Sequence, residues 1–175
     1  MEELKNRKTP RHPYFNYNHA GIYFITICTQ NRRCILSRIV GTGVLDCPRV
    51  ELTNYGEIAD KYIRQLNDFY HHLSIEKYVI MPNHIHLLLW IKEENINGCG
   101  QSRTPVPTNV SRSNCAFSRF ISAFKRFCNK EYGGNIWQGR CYDHIIRSKD
   151  DLNQHIKYIH ENPMYWHLDE FFSKE

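Results

Sequence analysis

At 175 residues, with 41% hydrophobic and 13% aromatic side chains, the chain has the composition of one globular domain long enough to bury a core without disulfides. Seven scattered cysteines without a Cys-x-x-Cys pair argue against a disulfide framework and a structural zinc site. No apolar run approaches the roughly 18 residues of a membrane span, and the charged N-terminus lacks the apolar run of a secretory signal, so a cytoplasmic protein without membrane partners is expected. The formal charge of +5 is concentrated between Gln101 and Lys149, where nine Lys or Arg face two acids; such a block suits a nucleic-acid backbone.

Residues 1–19 read as a basic, flexible arm. GIYFITICT, from Gly21 to Thr29, is rich in β-branched and aromatic residues and is predicted as a central strand, with Arg32 and Arg33 placing charge at its end. Gly41 and Gly43 mark a turn within 34–52, a candidate hairpin. From Asn54 the period changes: Tyr55, Ile58, Ala59, Tyr62, Ile63, Leu66 and Phe69 recur at helical spacing, with Asn54 and Glu57 as a capping box. Two apolar runs within 74–91 then read as strands joined by Met81-Pro82-Asn83.

On the second of these strands alternation puts His84 and His86 side by side on one face, with Leu88 and Trp90. Two imidazoles on rigid backbone make a candidate metal pincer. Residues 93–114, rich in Gly, Pro, Ser, Thr and Asn, form a long mobile loop. A helix from Ser113 to Lys130 turns Phe117, Phe120, Ile121, Phe124 and Phe127 inward, with Arg119, Lys125 and Arg126 on or near its outer surface. Gly133-Gly134 ends it, and another strand runs from Cys141 to Arg147.

The last helix, Lys149 to Glu161, buries a stripe of Leu152, Ile156 and Ile159. A second row, Asp151, His155, Tyr158 and Asn162, runs beside that stripe and borders the core. Pro163 biases Asn162 away from helical geometry. Tyr158 is a candidate nucleophile for a phosphodiester; its ordinary pKa of about 10 leaves it neutral at pH 7, so it needs a base or a cation nearby. Metal on His84 and His86, with the Asn162 amide oxygen as third ligand, would stabilise charge on the phosphate. Arg32, Arg33, Arg119, Lys125, Arg126, Arg140, Arg147 and Lys157 form the expected DNA-binding set.

Together, YVIMPNHIHLLLW, IWQGRCYDHIIRS and YIHENP resemble the single-tyrosine HUH transposases, in particular the REP-associated tyrosine transposases and their insertion-sequence relatives. The resemblance implies an α+β fold, a ferredoxin-like antiparallel sheet with helices packed on its faces, in one catalytic domain over 20–165 followed by a tail over 166–175. It places His84 and His86 as the metal-binding pair, Asn162 as third ligand and Tyr158 as nucleophile, with Asp143, His144 and His155 near the site in no assigned role. The implied partner is single-stranded or hairpin DNA, cleaved and rejoined through a 5′-phosphotyrosine by a monomer or homodimer with Mg2+ or Mn2+. Two imidazoles suit manganese at least as well as magnesium. A nuclease using water and a non-catalytic hairpin-binding protein are the alternatives.

Overall fold

A computed structural model describes residues 20–41, 48–92 and 116–172. The expected basic arm, the loop over 93–114 and the first residues of the helix predicted from Ser113 lie outside the described residues. The elements are β1 (Gly21–Cys28), β2 (Ser37–Val40), β3 (Arg49–Leu52), α1 (Asn54–Phe69), β4 (Leu73–Ile80), β5 (His84–Ile91), α2 (Ala116–Tyr132), β6 (Tyr142–Ile146) and α3 (Lys149–Glu161). Short 3-10 turns follow β1 at Gln30–Arg32 and α3 at Trp166–Leu168.

A four-stranded antiparallel sheet in the order β4-β5-β1-β6 carries the fold. Without the separate β2-β3 ribbon, the chain order is β-α-β-β-α-β, that of a ferredoxin-like sheet, followed by α3. β1 is central because GIYFITIC is apolar on both faces and pairs along its whole length with β5. Tyr23, Ile25 and Ile27 share one face with Ile85, Leu87 and Leu89 and close the main core against Ala59 and Ile63 of α1 and Phe117, Phe120 and Phe124 of α2. Phe24, Thr26, His84, His86 and Leu88 fall on the other face, towards α3.

Three local expectations are corrected. The N-cap of α1 is Thr53, not Asn54: its hydroxyl, 2.9 Å from the Leu36 carbonyl, accepts from Gly56 N at 3.3 Å, so Asn54 is already helical. Asn162 keeps helical geometry (φ −53°, ψ −42°) despite Pro163, because its N–H reaches the Tyr158 carbonyl and its side chain is held by Asp169. On α3 only Ile159 of the expected stripe is fully buried; Leu152 and Ile156 are half-buried, since among the described residues no further layer packs outside this helix. Among the described residues no helix is long and apolar enough to cross a membrane.

Candidate active site

His84 and His86 are fully buried, their ring centroids 4.4 Å apart. Each has one ring nitrogen committed. His84 Nδ1 lies 2.8 Å from Asn83 Oδ1, and His86 Nδ1 lies 2.9 Å from Thr26 Oγ1, the residue opposite it on β1. The Asn83 amide is oriented by its own NH2 group, which donates to the carbonyls of Phe171 (2.7 Å) and Arg32 (3.3 Å). Its oxygen therefore accepts, the proton of His84 sits on Nδ1, and Nε2 carries a lone pair. Both Nε2 atoms are buried and have no hydrogen-bond partner among the described residues. Burial pulls His84 down to about 3, assisted by the Arg32 cation, and holds His86 well below its ordinary value, so both rings are neutral at pH 7.

α3 brings Tyr158 to this pair. Its ring centroid is 5.1 Å from that of His86, and its hydroxyl donates to Asp169 Oδ2 at 3.1 Å. Burial, then the charge of the Asp169 carboxylate, raises Tyr158 above the ordinary tyrosine range. One turn on, Asn162 is buried; its Nδ2 donates to the same Asp169 oxygen at 2.8 Å, and its Oδ1 has no hydrogen-bond partner among the described residues. Asp169 comes from beyond α3, where the chain reverses through the Trp166–Leu168 turn. Phe171 closes the pocket, its ring 4.8 Å from that of His84 and beneath the Arg32 guanidinium.

This donor set fits a divalent cation. A ring nitrogen from each of His84 and His86 and an Asp169 oxygen lie within 4.8 Å of one another. Leaving His84 Nε2, His86 Nε2 and Asn162 Oδ1 buried without partners costs about 1–3 kcal/mol each; a metal ion on the histidine pair would relieve the first two.

No family model matches the chain. A putative REP-associated tyrosine transposase of Haemophilus influenzae is 27% identical over 154 residues, 85% of this chain and 73% of that protein. The REP-associated tyrosine transposase of Escherichia coli K12 is 25% identical over 148 residues, 85% of this chain and 69% of that one. A solved REP-associated tyrosine transposase bound to a REP hairpin has the same fold, with a TM-score of 0.59 at 23% identity over 89% of this chain and 74% of that one. The chain is a relative of the REP-associated tyrosine transposases.

The remaining expected site residues of this transposase relative fall into two groups. His155 packs on Phe24 at 4.6 Å and His144 stacks on His155 at 4.8 Å, both on the α3 side of the sheet. Asp143, opposite Ile25 on β1, is turned by strand alternation to the other side. Arg33, Arg140, Arg147 and Lys157 are exposed, the last with an ion pair to Glu161 at 3.8 Å. Arg119, Lys125 and Arg126 stand on α2, in the layer across the sheet from Tyr158. Lys125 is committed to the loop before β6, donating to the carbonyl of Gln138 at 2.7 Å and those of Gly139 and Arg140 at 3.4 Å. Sequence reasoning missed Asn83, Thr26 and Asp169. Asn83 adjoins the histidine pair and was within reach of it; the other two carry no local signal.

Proposed function

We propose that this protein is a DNA transposase that cleaves and rejoins single-stranded DNA beside a hairpin, with Tyr158 as nucleophile. The observation that carries the reading is the Tyr158 ring packed 5.1 Å from His86, one of two buried, neutral imidazoles whose Nε2 atoms have no hydrogen-bond partner among the described residues. The named relatives are REP-associated tyrosine transposases, one of which was solved bound to a REP hairpin, and this supports a hairpin-bearing strand as substrate.

Tyr158 attacks the scissile phosphorus: its Oη–P bond forms and the P–O3′ bond breaks, leaving a 5′-phosphotyrosine and a 3′-hydroxyl. Asp169 Oδ2, already accepting from the hydroxyl, is placed to take the phenol proton. Water protonates the leaving 3′-oxygen. Because the phosphotyrosine keeps the phosphodiester bond energy, a second 3′-hydroxyl can reverse the step and join strands. His84 Nε2, His86 Nε2 and Asn162 Oδ1 would hold Mn2+ or Mg2+, which when bound offsets charge on the phosphate oxygens.

The test uses a labelled single-stranded hairpin oligonucleotide from the flanks of the protein's own gene, with Mn2+. A denaturation-resistant protein–DNA adduct that is lost in Tyr158→Phe is expected. Cleavage without an adduct would replace this reading with a water-using nuclease, and binding without cleavage with a hairpin-binding protein.

A further inference from the structure

We infer that His144, Asp151 and His155 form a second metal site, separate from the His84–His86 pocket and suited to a borderline transition-metal dication such as Zn2+. The three residues bring a ring nitrogen from each histidine and a carboxylate oxygen within 4.8 Å of one another. His144 Nε2 lies 3.0 Å from both Asp151 oxygens, and His155 Nδ1 lies 3.1 Å from Oδ1 and 2.9 Å from the Asp151 carbonyl oxygen, so the two rings donate to Asp151 and a metal ion would take the place of those protons. Such convergence from two elements, β6 and the first turns of α3, is more than an ion pair needs.

The backbone and its neighbours hold each donor in place. Asp151 sits in the first turn of α3, where its N–H donates to Ser148 Oγ and its Oδ2 accepts from Arg147 N at 3.1 Å, so the carboxylate is oriented before any ion arrives. The i, i+4 spacing puts His155 on the same side of the helix as Asp151. His144 and His155 stack with rings 15° apart, which sets two imidazole edges towards one carboxylate. His155 is braced on its far side by Phe24, and the same Phe24 ring stacks on His86 at 5.0 Å, so one aromatic ring touches a histidine of each group.

Two imidazoles and one carboxylate are a zinc-type donor set and too nitrogen-rich to favour magnesium. Beside them lies a cavity of about 450 Å3, lined in part by Tyr142, His144, His155 and Phe171, which leaves room for water or another oxygen ligand to complete the coordination. His144 is half exposed, so an ion can enter from solvent.

The inference concerns binding of the ion alone, so it stands or falls apart from the DNA chemistry. Chelator-stripped protein is titrated with Zn2+ by calorimetry, comparing wild type, His144→Ala/His155→Ala, Asp151→Asn and His84→Ala/His86→Ala. The surface variants lie outside the core, and circular dichroism checks the fold of all of them. The expected result is the loss of one equivalent in His144→Ala/His155→Ala, weaker binding of that equivalent in Asp151→Asn, and its retention in His84→Ala/His86→Ala. Should the buried-pair variant not fold, the histidine Cε1–H resonances of wild type report instead, with those of His144 and His155 shifting on Zn2+ addition. Equal stoichiometry in wild type and His144→Ala/His155→Ala, or Zn2+ that leaves those two resonances unmoved, would overturn the second site. An equivalent that survives without His84 and His86 but not without His144 and His155 supports it even if no DNA adduct ever forms.

Discussion

Tyr158 donates its hydroxyl to Asp169 Oδ2 across 3.1 Å, although the two residues come from opposite sides of a chain reversal. The carboxylate acts in two ways. Its charge, after burial, keeps the phenol protonated above the ordinary tyrosine range, and its oxygen is the nearest acceptor for the proton that must leave. Because the tyrosine is raised, its ionised fraction should climb about tenfold per pH unit without levelling near pH 10. Adduct formation by Asp169→Asn should therefore fall roughly a hundredfold at pH 7 and recover steeply as hydroxide replaces the lost base. Equal rates for variant and wild type across the pH range would remove Asp169 from the chemistry.

Thr26→Val tests the orientation of His86. The hydroxyl is the partner of His86 Nδ1 at 2.9 Å, and without it a buried ring nitrogen is stranded. Mn2+ affinity should drop about 10–100-fold, the range for losing a group that orients a metal ligand. Stability without metal should drop by about 1–3 kcal/mol, read from urea unfolding. Unchanged Mn2+ affinity would show that the hydroxyl does not set the ring.

How much of this was legible depends on how far each residue sits from a periodic element. His84 and His86 follow from a two-residue repeat and Tyr158 and Asn162 from a helical one, so their faces could be read directly. Thr26 could not, because its place beside His86 is a register between strands 60 residues apart. Asp169 arrives by a turn after Pro163 that no pattern announces. Asn162 was misjudged in conformation because the local effect of a following proline was outweighed by tertiary bonds to Asp169 and its own helix. The expected DNA-binding residues are divided between α2 on one face of the sheet and α3 on the other, a division that sequence order does not show.

Gly56 is a packing constraint at the start of α1. A Cβ there would land on the carbonyl oxygen of Leu36, with Leu52 Cβ at 3.2 Å behind it. That carbonyl already accepts from the Thr53 N–H at 3.0 Å, so it cannot move aside without loosening the N-cap. Gly56→Ala should destabilise by about 1–3 kcal/mol or more, as overpacking against backbone does, despite alanine's better helix propensity. Thermal unfolding checks this; a variant as stable as wild type would mean the helix start can shift freely.

The division of the basic residues makes a last prediction about hairpin binding. Arg140 and Arg147 flank β6 and are exposed, whereas Arg119 and Arg126 are exposed on α2, across the sheet from Tyr158. If Tyr158 receives the scissile phosphate as proposed, the strand is expected to pass over the first pair. Each phosphate contact releases counterions and steepens the fall of affinity with salt, so removing one contact lowers that slope by about one. In a fluorescence-anisotropy titration across salt concentrations, Arg140→Ala/Arg147→Ala should flatten the slope and Arg119→Ala/Arg126→Ala should leave it near wild type. The reverse pattern would mean that the hairpin stem lies along α2, wrapping from the tyrosine to the far face of the sheet.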